Sequence, residues 1–291
     1  MLKSSIFLRQ DRQSTHPTTA FQLRFDMAPL HIVALGSSFA AGPGVSPIID
    51  TAAGRSAKNY AHLVAERMDA RLTDLSCSGA TLLNVLDESQ QLMTKTVPAQ
   101  LSGFPSDTDI VTLTAGGNDL GYSRGMAVDA AKASVDEEPW LEDYLETITA
   151  GTSDEPPLST QDLTDRFIRV IDRVKSIAPK ARIILVEYLT IFGSKASQSD
   201  DNPVKEERMQ HYREEATRLQ TAYRSAAEAR PGTELLPASE LSEDHGVSSK
   251  EPWVTGFSAK MLLQGAPPYH PNASGHEAIA QELFQLLNVR V

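Results

Sequence analysis

Cysteine is nearly absent from this chain of 291 residues. Cys77 stands alone, so no disulfide can close within the chain, and nothing here argues for an oxidising compartment. In LSCSGAT the lone thiol reads first as a small buried hydrophobe and only second as a nucleophile. Long apolar runs are missing too. None approaches the ~18 residues that a membrane helix needs, so no stable membrane insertion is expected. Positive charge is scarce, with 27 Lys and Arg against 38 Asp and Glu and a formal net charge of −11. A surface of that sign repels phosphate backbones, and nucleic acid is not an expected partner. The opening segment, MLKSSIFLRQDRQSTHPTTAFQLRFD, has only the apolar piece IFL before an arginine and does not read as a secretory signal. Its Ser, Thr and Arg content faintly resembles a transit peptide, against which Asp11 and Asp26 count. Residues 1–26 are expected to form a tail, and the protein is expected inside the cell.

What remains is ordinary globular composition, 41% hydrophobic and 22% charged. Short continuous apolar runs read as buried parallel strands: LHIVALG, RLTDLS, DIVTLTAGG, RIILVEYLTIF and TELLP. Between them lie amphipathic helices. The clearest is STQDLTDRFIRVIDRVKSIAPKA, with Leu163, Phe167, Val170, Ile171 and Val174 on one face, Ser159 and Asp162 as a capping box, and Pro179 as its stop. A second long helix is expected over 205–229, and a last one from near Ser274, capped by Ser274 with Glu277. Strands alternating with helices predict a three-layer α/β/α fold around a central parallel sheet of about five strands. Residues 27–291 read as a single domain, with an acidic insertion at about 121–160 that holds nine acids and two bases.

In such sheets the site lies beyond the carboxyl ends of the strands. Three expected strand ends carry polar residues beside glycine: Gly36-Ser37-Ser38, Ser78-Gly79 and Gly116-Gly117-Asn118-Asp119. His270 follows on a proline-rich loop before the last helix. Each has a plain alternative, since a serine at a helix start is usually a cap and GGND alone is a turn. Together they supply a hydroxyl, a base and hydrogen-bond donors, which is what acyl transfer needs. A Gly-x-Ser-x-Gly elbow would point to a different hydrolase fold, but Ala40 occupies its last position.

These blocks resemble the SGNH hydrolases, the GDSL-type esterase and lipase superfamily. ALGSSFAAGPG is similar to the first motif block, LSCSGAT to the second, TAGGNDLGY to the third and YHPNASGH to the fifth. The resemblance runs over roughly residues 30 to 287. It implies a flavodoxin-like sheet, Ser38 as nucleophile, His270 as base, and an oxyanion hole made by the Ser38 and Gly79 backbone N–H groups with the Asn118 side chain. No metal or organic cofactor is implied. The first block departs from the family, with Ser37 where Gly-Asp-Ser has its Asp. The carboxylate that usually stands three residues before the histidine is replaced by Pro267. The resemblance therefore implies a backbone carbonyl, assigned to Pro267, as the partner of His270 Nδ1, with Asp244 as the distant alternative.

The expected activity is hydrolysis of a small, neutral carboxylic ester. An acidic pocket rim from 121–160 would disfavour anionic substrates, the loop at 193–204 would flank the mouth, and Trp140, Tyr144, Trp253 and Phe257 would wall the acyl site. An acyltransferase of the same fold and a non-catalytic binding module remain open at this level. The sequence leaves the oligomeric state undetermined. His276 is expected to serve packing or hydrogen bonding.

Overall fold

The computed structural model describes residues 28–150 and 158–288. The expected tail at 1–26 and residues 151–157 of the acidic segment lie outside the described residues. Five strands form one parallel sheet: β1 (His31–Gly36), β2 (Arg71–Asp74), β3 (Ile110–Thr114), β4 (Arg182–Val186) and β5 (Thr233–Leu236), in the order β2-β1-β3-β4-β5. Two of the three interior strands, β1 and β3, are buried at every position, as continuous apolar runs require in a sheet covered on both faces. The strand expected over 182–192 stops at Val186, because the chain beyond it leaves the sheet to build the site.

Ten helices accompany the sheet among the described residues: α1 (Ser38–Ala41), α2 (Tyr60–Met68), α3 (Leu82–Leu86), α4 (Tyr122–Ser134), α5 (Leu141–Thr149), α6 (Thr160–Ile177), α7 (Glu206–Ala229), α8 (Ala238–Leu241), α9 (Ala259–Leu263) and α10 (Ala273–Asn288). α2 packs on α10, and α6 packs on α3 and α7. The capping box that starts α6 is present, with Ser159 and Asp162 satisfying each other's backbone N–H. Its apolar face, including Phe167, is fully buried. α10 starts one residue earlier than the sequence suggests. Asn272, not Ser274, caps it, by accepting from the Gly275 N–H at 2.9 Å. The acidic segment is less of an insertion than expected: α4 buries Tyr122, Met126, Ala127, Ala130 and Ala131, and α5 packs on α4.

The strand order turns at β1, whose neighbours are β2 on one side and β3 on the other. Connections leave in opposite directions from such a point, and a crevice opens at the carboxyl ends of the strands. Gly36 closes β1 there with φ +139°. A Cβ on Gly36 would lie 2.2 Å from the Thr114 carbonyl oxygen, so only glycine lets β1 end this close to β3. We expect Gly36→Ala to abolish soluble folded protein. Gly103→Ala, where a Cβ meets nothing within 4 Å, should leave the thermal midpoint within a few degrees of wild type. Thermal melts followed by circular dichroism separate the two, and a normally folded Gly36→Ala would refute the packing argument.

Candidate active site

Ser38 is the first residue of α1, two residues past the end of β1, and it is buried. The turn that presents it is braced from both sides. The Gln100 side chain donates to the Gly36 carbonyl at 2.8 Å and accepts from the Gly36 N–H at 2.9 Å, while the Ser37 N–H donates to the Thr114 carbonyl at 2.9 Å. The neighbouring hydroxyl is already committed. Ser37 is wholly buried and its Oγ sits 2.5 Å from the Tyr188 hydroxyl. Burial pushes the Tyr188 phenol well above its usual range, so it stays neutral in this bond. Of the two adjacent serines, Ser38 therefore has the free hydroxyl.

His270 arrives from the loop before α10. Its Nε2 lies 2.8 Å from Ser38 Oγ, although 232 residues separate the two in sequence. Its Nδ1 lies 2.7 Å from the carbonyl oxygen of Pro268. A carbonyl can only accept, so Nδ1 carries the proton and Nε2 presents its lone pair to Ser38. The partner expected at Pro267 is thus one residue off. Tyr269 adopts φ +57° and turns the chain back, which brings the carbonyl two residues before the ring against Nδ1. The Pro267 carbonyl faces the Thr255 hydroxyl instead, at 3.4 Å. Thr255 also accepts from the His270 N–H at 3.2 Å and donates its own N–H to the His270 carbonyl at 2.8 Å, pinning the loop. The Phe39 ring lies 5.2 Å from the imidazole. The alternative acid, Asp244, is exposed and paired with Lys195 at 2.7 Å, so it plays no part at the ring.

Burial lowers the pKa of His270 from 6.5 to about 4, partly offset by the Pro268 carbonyl. His276, also buried, is lowered to about 4 for the same reason, with the neighbouring His270 adding to the shift. His276 accepts from the Tyr60 N–H at 3.2 Å, the hydrogen-bonding role expected of it. Among the described residues, no cluster of three His, Cys, Asp or Glu side chains is arranged to hold a metal ion.

Gly79 stands beyond β2 with φ +82°. Asn118 stands beyond β3, and its Nδ2 donates one proton to the Ala80 carbonyl at 2.9 Å, leaving the second for the crevice. The next residue, Asp119, anchors this turn, pairing with Arg166 at 2.7 Å and accepting from the Leu82 N–H at 2.9 Å. The Ser38 and Gly79 N–H groups donate to no protein acceptor among the described residues.

Ser38, Gly79, Asn118 and His270 all line one cavity of about 510 Å³, within the range of small-molecule sites. Pro267 and Pro268 line it as well, and Tyr144, Ile148 and Leu262 give it an apolar side. The expected acidic rim is not found there: among the described lining residues the charged side chain is Arg124, with no carboxylate. Of the four aromatics expected at the acyl wall only Tyr144 lines the cavity. Phe257 is in the core, Trp253 stacks on His245 at 4.0 Å, and Trp140 packs against the core and donates to Glu138. The loop at 193–204 lines a separate surface cleft. Sequence reasoning missed Tyr188, Gln100 and Thr255. The only signal was indirect: a serine in the family's aspartate position needs a new partner, and Tyr188 is it.

Comparison with known proteins places this geometry in a family. The profile of the GDSL-like lipase/acylhydrolase family matches residues 34–278. Lipase 2 of Streptomyces coelicolor is 28% identical over 272 residues, covering 89% of this chain and 86% of that protein. A lipase of Streptomyces rimosus is 25% identical, covering 84% and 81%. Among solved structures, phospholipase A1 from Streptomyces albidoflavus superposes with a TM-score of 0.65 at 22% identity, over 91% of this chain and 100% of that one. The extracellular lipase of S. rimosus superposes at 0.63 with 23% identity, over 90% and 100%. That extracellular relative overturns the expectation of an intracellular protein, which rested on one cysteine and the composition of the first residues. With a matching profile over most of its length and lipases as its relatives, the chain belongs to the GDSL-like lipase/acylhydrolase family and is a hydrolase of esters.

Proposed function

We propose that the protein cleaves carboxylic esters through an acyl-enzyme on Ser38. The observation that carries this reading is the relay from Ser38 Oγ to His270 Nε2 at 2.8 Å and from Nδ1 to the Pro268 carbonyl at 2.7 Å. Ser38 Oγ attacks the ester carbonyl carbon while its proton passes to Nε2. The carbonyl oxygen becomes an oxyanion and takes hydrogen bonds from the Ser38 and Gly79 N–H groups and the free Asn118 amide proton. His270 returns the proton to the leaving alkoxide, and the C–O bond breaks. Water then gives a proton to Nε2, attacks the acyl-enzyme, and releases the acid and a free Ser38 hydroxyl. The Pro268 carbonyl fixes the tautomer and the plane of the ring, the main task of the acid in a triad. The small-molecule ester would lie with its acyl chain along Ile148, Leu262 and Tyr144. Similarity to an extracellular lipase supports action outside the cell. Among the described residues no carboxylate lines the cavity, so they lend no support to a neutral substrate.

Three outcomes follow from this chemistry. Hydrolysis of p-nitrophenyl esters should fall to background in both Ser38→Ala and His270→Ala, with both proteins still folded. Activity that survives in Ser38→Ala would defeat the proposal. Asn118→Ala should lose about 10²–10³ in kcat with a small change in KM, because its donor acts on the oxyanion and not on the ground-state carbonyl. The acid limb of kcat/KM reports the free histidine, which works only when neutral. With His270 lowered to about 4, activity should persist well below pH 6.5 and decline only as the pH approaches that lower value. An acid limb centred at or above 6.5 would show that the buried, neutral His270 is not the base.

A further inference from the structure

An oxyanion hole at Gly79 needs the peptide that carries this N–H to be turned the right way, and that peptide has two ways to lie. Residues 77–80 form a β-turn, closed by the Ala80 N–H donating to the Cys77 carbonyl at 3.1 Å. Gly79 has φ +82°, and Ser78 before it is not in the positive region, so the turn is type II. Types II and I differ by roughly half a rotation of the central peptide, here Ser78–Gly79. The C=O and N–H of a trans peptide point in opposite directions, so whatever holds the Ser78 carbonyl also aims the Gly79 N–H. One side chain holds it. Gln90 Nε2 donates to the Ser78 carbonyl at 2.8 Å. A carbonyl only accepts, which fixes the amide with its NH2 toward Ser78. Among the described residues Ser78 is the sole partner of that amide, since Gln90 Oε1 is buried and accepts from no group. Gln90 sits in a small antiparallel hairpin, Gln90–Gln91 with Thr96–Val97, and Val97 packs on the cluster of Ala53, Cys77 and Ala80. A Cβ on Gly79 would lie 3.2 Å from Gln90 Nε2.

We propose that Gln90 is a positioning residue for ester cleavage: by holding the Ser78 carbonyl, it keeps the Ser78–Gly79 peptide turned with its N–H toward the oxyanion. The proposal rests on the Ser38–His270 mechanism and its oxyanion hole. Gln90 itself stands behind the site. It lines a second cavity, of about 220 Å³, together with Cys77 and Arg55, whereas Gly79 lines the cavity of Ser38. With its carbonyl drawn to Gln90, the peptide presents its N–H on the opposite side. Turned over, it would present a carbonyl oxygen, a partial negative charge where negative charge develops, which is worse than a missing donor. The bond to Gln90 also polarises the peptide and strengthens its N–H as a donor.

The test measures kcat and KM for p-nitrophenyl butyrate in wild type, Gln90→Met, Gln90→Glu and Thr96→Ala, with thermal melts to follow the fold. Gln90→Met keeps the length of the side chain and loses the donor. Its kcat should fall about tenfold, the shift that one net hydrogen bond can impose on an equilibrium. KM should stay within about twofold, because the Gly79 N–H acts on the oxyanion. Gln90→Glu should lose more at neutral pH, since an ionised carboxylate cannot donate to the Ser78 carbonyl and repels it. The Ki of an alkyl trifluoromethyl ketone, which binds as a tetrahedral adduct of the serine, should rise by the factor that kcat falls. Thr96→Ala removes the bond from Thr96 Oγ1 to Gln91 Oε1 in the same hairpin and should leave kcat and KM within about twofold of wild type. Gln90→Met with the kcat of wild type, or with constants changed no more than in Thr96→Ala, would refute the positioning role while the serine hydrolase stands. A Ki that stays at its wild-type value while kcat falls would refute it too, by placing the defect outside the oxyanion hole. If Gln90→Met does not fold, Gln90→Glu carries the test, and wild-type turnover in that variant defeats the assignment. Should Ser38→Ala prove as active as wild type, the mechanism itself falls and the role of Gln90 falls with it.

Discussion

Two parallel strands end within van der Waals reach of each other, and everything at the site hangs on that approach. β1 can finish against the Thr114 carbonyl only because Gly36 has no Cβ. From that point the chain turns into α1 with Ser38 at its head, while β3 turns into the loop that carries Asn118. The Ser37 N–H and hydroxyl fasten the first turn to Thr114 and Tyr188. The second is fastened by Asp119 through Arg166 and Leu82. A hydroxyl and a side-chain amide thus reach one crevice on rigid elements, at the place where the sheet reverses its order. Preorganised donors act strongly on a developing charge because they need no rearrangement when it forms.

The histidine is held differently from its family pattern, and the difference has an energetic meaning. A carboxylate beside Nδ1 would orient the ring and also favour the imidazolium. The Pro268 carbonyl also orients it, but it offers a dipole in place of a charge. Burial then dominates and keeps the resting ring neutral. A neutral ring can accept a proton at neutral pH, and in the proposed mechanism the cation so formed would be stabilised mainly by the oxyanion opposite it. In a low-dielectric crevice that attraction is much stronger than in water. The proposed mechanism therefore depends heavily on the placement of the oxyanion.

Much of this architecture could be read from residue order. All five strands, the capping box of α6 and the end of that helix before Pro179 follow from runs of apolar residues and from caps whose chemistry is local. Ser38, Gly79, Asn118 and His270 stand out because each sits where a strand or loop must end, and the structure gathers them on one cavity wall. What escaped were contacts set by long-range packing or by a single backbone angle. The Tyr188 hydroxyl on Ser37 spans 151 residues. The shift from Pro267 to Pro268 depends on the left-handed turn at Tyr269, which no residue type announces. The acidic rim is absent from the described lining for another reason: net charge of a segment says nothing about which of its side chains face inward. α4 and α5 hold many acids, yet Arg124 is the charged group on the described cavity wall.

That contrast between the whole and the site is the last constraint on what the enzyme can accept. A formal charge of −11 over the molecule opposes the approach of any anion. Salt screens such a field beyond about 10 Å at 0.1 M, whereas contacts inside a partly enclosed cavity are screened much less. The distant acids therefore act on encounter, and the groups that line the cavity act on what stays bound. Charge far from the site can slow arrival and suppress adhesion to anionic surfaces without deciding the chemistry of the bound ligand. The cavity that holds Ser38 has an apolar side at Tyr144, Ile148 and Leu262, and Arg124 is the charged side chain among its described lining residues. The cavity lining thus differs in character from the acidic surface average, with an apolar side beside a polar one and no carboxylate among its described residues.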